Sequence, residues 1–190
     1  MALPRSPEIL AAIRGLGLVL RGDPQAPAWY DLSIDGFWRS FWPALIAAGL
    51  YFAVLEPSAE DLAAWGSHIG FALGEAGQYL TAWVAYLAVM VLLCRAFHLT
   101  GRYAVFVVLY NWAQAIINGV SLPVMLAENW GLLPPGALIG WELALLLLWL
   151  YTVAQIARTA LGASLMVAVT AAALDLAATI LVDRAIGALL

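Results

Sequence analysis

At 190 residues, 65% of them hydrophobic and only 11% charged, the chain has the length of one domain and a balance that a soluble domain hardly tolerates. Lysine is absent, and twelve acids outnumber eight arginines for a formal charge of -4. With no basic cluster to neutralise phosphates, a nucleic-acid partner is excluded. The single cysteine, Cys94, excludes an internal disulfide and reads as a small apolar core residue.

The first element in chain order is a short amphipathic helix over 6–20. Ser6 is placed to cap it, and Pro7 suits its first turn. Ile9, Ile13, Leu16 and Leu20 recur at helical spacing with Leu10 on the flank, while Arg14 and Arg21 can meet anionic headgroups. The pattern fits an in-plane helix on the cytoplasmic leaflet, or a helix packed under a bundle. Arg5 followed by Ala26-Pro27-Ala28 imitates a signal peptide, but Arg14 interrupts the apolar stretch, so the segment is read as retained.

Trp29, Tyr30, Trp38 and Trp42 form an aromatic cluster of the kind found where a chain enters a bilayer. Span one then runs over about 37–55, near the roughly 20 residues that a hydrocarbon core about 30 Å thick requires. Residues 58–75 predict an interfacial helix with acids in its first turn, in which Leu62, Trp65, Ile69 and Leu73 share a face. Spans two to five are expected at about 78–93, 103–126, 136–157 and 164–182. Pro123 should kink or fray the end of span three. Trp130 joins Trp29, Trp38, Trp42 and Trp65 as an interfacial anchor.

The fold class is therefore an all-α polytopic membrane bundle. Residues 1–36 form a cytoplasmic N-terminal segment, 37–183 a five-span membrane domain, and 184–190 a short periplasmic tail. Arg39, Arg95, Arg102 and Arg158 fall in alternate connections, whereas 56–77 and 128–136 carry none. This is the positive-inside pattern of a bacterial inner-membrane protein with its N-terminus in the cytoplasm, to which Arg184 is the exception. The lipid bilayer is thus one partner. An odd span count without a repeat disfavours a transporter built from two inverted halves.

Polar residues inside the spans carry the most information, because an unpartnered polar group is unfavourable in hydrocarbon. Asn111, Gln114 and Asn118 fall at i, i+3, i+7 and form one stripe on span three. Its plain role is interhelical hydrogen bonding, worth about 0.6 kcal/mol per bond; its alternative is the lining of a polar cavity. Glu142 sits in span four on a face with Leu138, Leu145, Leu146 and Trp149. Asp175 sits in span five with Ala168, Ala172 and Thr179, a small-residue face suited to packing. Measured from the expected span ends, Asn118 lies about 12 Å deep and the two acids about 9–11 Å deep, so the three should share a level. No intramembrane base faces them, which favours a protonated, hydrogen-bonded acid. Here chemistry is expected, as a proton or cation site, if anywhere.

His68 and His98 lie on opposite sides of the bilayer and cannot share a metal. No nucleophile–base set, paired-cysteine site or phosphate loop is present, so no enzyme activity, metal or cofactor is expected.

The five closely spaced spans, the cytoplasmic N-terminal segment and the short turn between the last two spans resemble the Yip-type membrane proteins in their small bacterial form. The stretch Tyr103 to Ile117, Tyr-Ala-Val-Phe-Val-Val-Leu-Tyr-Asn-Trp-Ala-Gln-Ala-Ile-Ile, is similar to that family's middle span. The glycine-tyrosine and aspartate-leucine-glycine-proline signatures of its eukaryotic members are missing, so their trafficking partners do not carry over. The resemblance implies a non-enzymatic organiser of membrane or partner proteins. Two functions are thus expected. One is a scaffold or accessory subunit that packs on a membrane-protein partner or a second copy, through the small-residue face of span five and the aromatic approach to span one. The other is a small transporter or channel component using Glu142 and Asp175.

Overall fold

The computed structural model describes residues 3–134 and 137–188, and all regular structure among them is helical. The N-terminal helix α1 (Ser6–Leu20) is followed by a 3-10 turn (Ala26–Trp29) and a short α2 (Ile34–Arg39). Then come α3 (Phe41–Val54), α4 (Ala59–Trp65), α5 (His68–Ala96), α6 (Tyr103–Asn129), α7 (Ala137–Leu161) and α8 (Leu165–Gly187). Helices α5 to α8 are each long and apolar enough to cross a membrane; a fifth crossing is reached if α2 to α4, bent by 113°, counts as one. The expected start of span four at 136, like the last two residues of the tail, lies outside the described residues.

Several boundaries differ from the expected ones, each for a local reason. Span one is broken at Ser40, because Pro43 has no N–H to offer the carbonyl of Arg39 and α2 must end there. The expected interfacial helix over 58–75 is cut at Gly66, whose left-handed φ of 73° stops α4. Ile69 and Leu73 therefore belong to the long α5 rather than to an interfacial face, while Trp65 folds onto Gly74. Pro123 is carried inside α6 without ending it. Helix α8 runs through Asp183 and Arg184 to Gly187, so the expected tail is largely helical.

Five helices close into a ring in which α3 packs on α6, α6 on α7, α7 on α8, α8 on α5, and α5 back on α3. Consecutive α5 and α6 face each other across the ring with their backbones apart, and aromatic side chains fill the gap. Tyr86 lies 5.0 Å from Tyr110 and 6.2 Å from Phe106, ring centre to ring centre, and the Tyr103 hydroxyl donates to the Leu87 carbonyl. The small-residue face of α8 is buried inside this ring: Ala168 and Ala171 are fully covered and Ala172 nearly so. It lets α8 approach α5 and α7 closely, so the face expected to meet a partner is occupied within the chain itself.

Arg95, Arg102 and Arg158 cluster at one end of the ring, where the Arg102 guanidinium covers the α7–α8 turn at Gly162. A Cβ at Gly162 would sit 2.8 Å from Nη1, and its φ of 68° is itself left-handed, so the position suits glycine twice over. At the opposite end the Asn129 amide donates to the Val54 carbonyl.

Helix α3 starts level with Asn111, about 12 Å along α6 from Tyr103. Helix α1 packs against α6 and α7 with Ala12, Gly15, Leu16 and Val19 buried, while Ile9, Leu10 and Ile13 stay exposed. The stripe expected to face lipid thus straddles two surfaces, because packing selects the small residues Ala12 and Gly15. At Gly15 a Cβ would lie 2.5 Å from the Tyr30 ring. Tyr30 is buried and donates its hydroxyl to the Ala12 carbonyl, and burial pushes its phenol well above the usual range. The N-terminus of α1 is fixed by the Glu8 carboxylate reaching back to the Arg5 N–H, not by Ser6.

Candidate functional site

The interior of the ring is a cavity of about 500 Å³ lined by all five of its helices. At its floor lies Asp175, buried on α8. One carboxylate oxygen accepts from the Tyr110 hydroxyl of α6 at 2.5 Å, and the other from the Trp149 indole N–H of α7 at 2.6 Å. Behind Tyr110 the chain of donors continues. The Gln114 side-chain N–H donates to the Tyr110 hydroxyl at 2.9 Å, and the Tyr79 hydroxyl of α5 donates to the Gln114 carbonyl. Every hydrogen in this series points towards Asp175. Such an arrangement suits a negative carboxylate, because each donor polarises the next in the same sense. A neutral acid would have to turn one oxygen into a donor towards the cavity.

The local sequence explains the geometry. Tyr110 and Gln114 are one turn apart on α6 and so share a face, which lets the amide hold the phenol from its own helix. Trp149 brings its ring edge to the same point from α7, 5.2 Å from Tyr110 between ring centres and at 64° to it. Ala171 and Ala172 keep the α8 backbone near enough for the short Asp175 side chain to reach both donors.

From this floor the lining extends along α6 through Asn118 and Ser121, and along α8 through Thr179 to Asp183. Asp183 is exposed, so the cavity opens at the end opposite Arg95, Arg102 and Arg158. Glu75 of α5 stands at this opening with Gln78 donating to it at 3.3 Å. No arginine or histidine lines the cavity among the described residues.

The predicted polar cluster is therefore only partly assembled. Asp175 and Gln114 meet through Tyr110, and Asn118 lines the same cavity. Asn111 turns away from it: its amide donates to the buried Ser40 hydroxyl at 2.9 Å, which ties α6 to the break before α3. Its Oδ1 is buried without a partner. Glu142 is exposed on α7 and lies outside the cavity.

The shared level expected for Asn118, Glu142 and Asp175 does not exist. Asp175 is level with Tyr110 and Trp149, about 12 Å along α6 from Asn118 and about 10 Å along α7 from Glu142. The expectation assumed span ends at 136 and 182. Because α8 continues to Gly187, Asp175 lies much deeper than that assumption gives.

The three aromatic partners, Tyr79, Tyr110 and Trp149, were not expected to take part. The signal was present, since a buried tyrosine or tryptophan in an apolar span needs a partner for its O–H or N–H. Of the predicted anchors, Trp29, Trp38, Trp42 and Trp130 are exposed, and Trp65 rests on Gly74.

A second group of charges sits outside the ring. Arg39 pairs with Glu8 of α1 at 2.7 Å and with Asp31 of the preceding loop at 2.5 Å. Hydrogen bonds from Ser33, with the Arg39 charge beside it, hold the Asp31 carboxyl below the usual carboxylate range. Arg14 lies over the Trp29 ring at 5.9 Å. This set fastens α1 to the start of the first span.

No protein-family model, curated protein or solved structure matches the chain. Among the described residues, no group of three or more His, Cys, Asp and Glu side chains is placed to hold a metal ion.

Proposed function

We propose that this chain is a small, non-enzymatic inner-membrane protein that takes a cation or proton into its ring of helices, as a transporter or channel component, with Asp175 as the charged group that meets it. The observation that carries the reading is the position of Asp175 at the floor of a cavity open to one end. A buried carboxylate inside a bundle, oriented by donors from two other helices, is the usual mark of an ion or proton pathway rather than of plain packing. The volume agrees, since ligand cavities commonly measure about 300–1,000 Å³.

In this reading the first span is α2 with α3, and α5 to α8 supply the other four. The arginine-bearing end faces the cytoplasm and the cavity opens to the periplasm. Support comes from Arg95, Arg102 and Arg158 at one end of the ring and from Glu75 and Asp183 at the other. The layout retained from the Yip-type resemblance is this threading alone. Glu142 has no part in the cation site.

The test is charge displacement in lipid vesicles containing the full-length protein, adsorbed on a supported membrane and exposed to steps of proton, sodium, potassium or an organic cation. A transient that saturates with one of these cations and disappears in Asp175→Asn is expected. A wild-type protein silent to all of them would overturn the proposal.

A further inference from the structure

We infer that the cation this cavity takes is a monovalent organic ammonium ion, its positive charge against Asp175 and its alkyl groups against aromatic walls. The inference deepens the cation-site reading above and rests on it.

Three features separate an organic cation from a bare metal ion. The first is the wall. Tyr51, Phe52, Tyr79, Trp83, Tyr110 and Trp149 all line the cavity. Phe52 lies 5.6 Å from Tyr79 and Tyr79 6.0 Å from Trp83, ring centre to ring centre, so three aromatic rings pack against one another, edge to face and tilted, along one side. Ring faces attract a weakly hydrated cation, and most strongly where water is excluded. A strongly hydrated metal ion gains less from them than from oxygen ligands.

The second feature is the shortage of such oxygens. A hard cation seeks about six of them. Both oxygens of Asp175 already accept a hydrogen bond, the Gln114 carbonyl is taken by Tyr79, and the Ser121 hydroxyl donates to its own helix at Ile117. Asn118 and Thr179 also line the cavity, and Thr179 donates its hydroxyl to the Asp175 backbone carbonyl. At the floor, away from Glu75, Gln78 and Asp183 at the opening, this leaves one carboxylate to meet a charge, short of a hard cation's shell of about six oxygens.

The third feature is size and sign. About 500 Å³ is far more than a dehydrated metal ion fills and matches a small organic molecule. Glu75 and Asp183 at the opening, with no base among the lining residues, make the approach favourable to cations and unfavourable to anions. A single carboxylate at the floor matches a single positive charge.

Choline serves as the probe, with its uncharged carbon isostere, sodium and potassium as comparisons. Each is titrated calorimetrically into full-length protein in detergent. Saturable choline binding is expected, with the isostere weaker by about tenfold or more because it lacks the charge that meets Asp175 and the ring faces. Tyr51→Leu removes one ring on which no hydrogen bond depends, and should weaken choline by roughly threefold. Asp175→Asn should weaken it by about tenfold or more. Should that variant fold poorly, the isostere comparison and Tyr51→Leu decide alone.

Equal binding of choline and its isostere would overturn the inference. So would absent choline binding beside an Asp175-dependent response to protons, sodium or potassium, an outcome that leaves the cation site standing. Silence towards every cation would overturn both.

Discussion

Glu142 and Asp175 interrupt the apolar surfaces of two adjacent helices, one on a face of large side chains and the other on a face of small ones. Their environments could hardly differ more. Asp175 sits at the centre of the ring, with Tyr110 and Trp149 each donating to one of its oxygens. Glu142 lies exposed near the start of α7, where a carboxylate can reach the headgroup region or water. The difference teaches that depth and the face of the helix decide what an intramembrane acid does. An acid near a helix end is tolerated; an acid in the middle persists only with partners built around it.

The largest expected effect of breaking this pair is functional. Asp175→Asn should abolish the charge-displacement transient or weaken cation affinity about tenfold or more, while Glu142→Gln should change either by less than about twofold. Equal effects of the two variants, read in the same vesicle assay, would show that the ring interior is not what distinguishes the acids.

Second in size is the support of Asp175. Trp149→Phe keeps an aromatic ring but removes the N–H donor and the pyrrole half of the indole, and should lower thermal stability in detergent by at least about 0.6–1.7 kcal/mol, the average to the largest value for hydrogen bonds between membrane helices. Tyr110→Phe removes a donor and also leaves Gln114 without its acceptor, so its loss should be the larger of the two. No change in the melting temperature of either variant would mean that the donors do not hold the carboxylate.

The Arg39 cluster gives a weaker contrast, because its side chains are partly exposed. Arg39→Ala should free α1, seen as faster amide exchange over 6–30, at a cost below about 1 kcal/mol for each ion pair. Its pH dependence has a definite sign. The Asp31 carboxyl is held below its ordinary value, so its pairing with Arg39 is complete above that ordinary value and is lost as pH falls through the still lower folded one. Exchange over 31–39, where Asp31 holds Ser33 and Arg39, should therefore be unchanged down to about pH 4 and rise only below it; a rise already at pH 5–6 would contradict this. The smallest expected effect on cation binding is that of Gly15→Ala, which pushes the buried Tyr30 ring aside and should release the 3-10 turn, seen as faster amide exchange there, with choline affinity unchanged.

Much of the fold was legible in the sequence. Long apolar runs, the alternation of arginine with acid, and the turns at Thr100-Gly101 and 158–163 place α6, α7 and the start of α8 to within a few residues, whereas α5 starts at His68 rather than near 78. The errors sit where the apolar signal has no edge. The stretch 58–75 reads as one interfacial helix because Ile69 and Leu73 follow Leu62 and Trp65 at helical spacing, yet the glycine at 66 ends that register. The expectation that α8 stops near Val182 treated Asp183 and Arg184 as a boundary, although a charged pair at a solvated end does not stop a helix and Arg184 is a good helix former. Of the site, Asp175 and Gln114 were legible because polar groups in hydrocarbon are conspicuous. Tyr79, Tyr110 and Trp149 were not, because their apolar bodies hide one polar atom each. Which helix neighbours which depends on tertiary packing, and no local pattern shows α5 facing α6 across a gap.

The most direct test of the difference between the two acids is infrared difference spectroscopy of the full-length protein in lipid, perfused with choline. A change in a carboxylate band that vanishes in Asp175→Asn and persists in Glu142→Gln is expected. A band that survives Asp175→Asn, or that disappears with Glu142→Gln, would contradict the assignment of the cavity acid as the group that meets the cation.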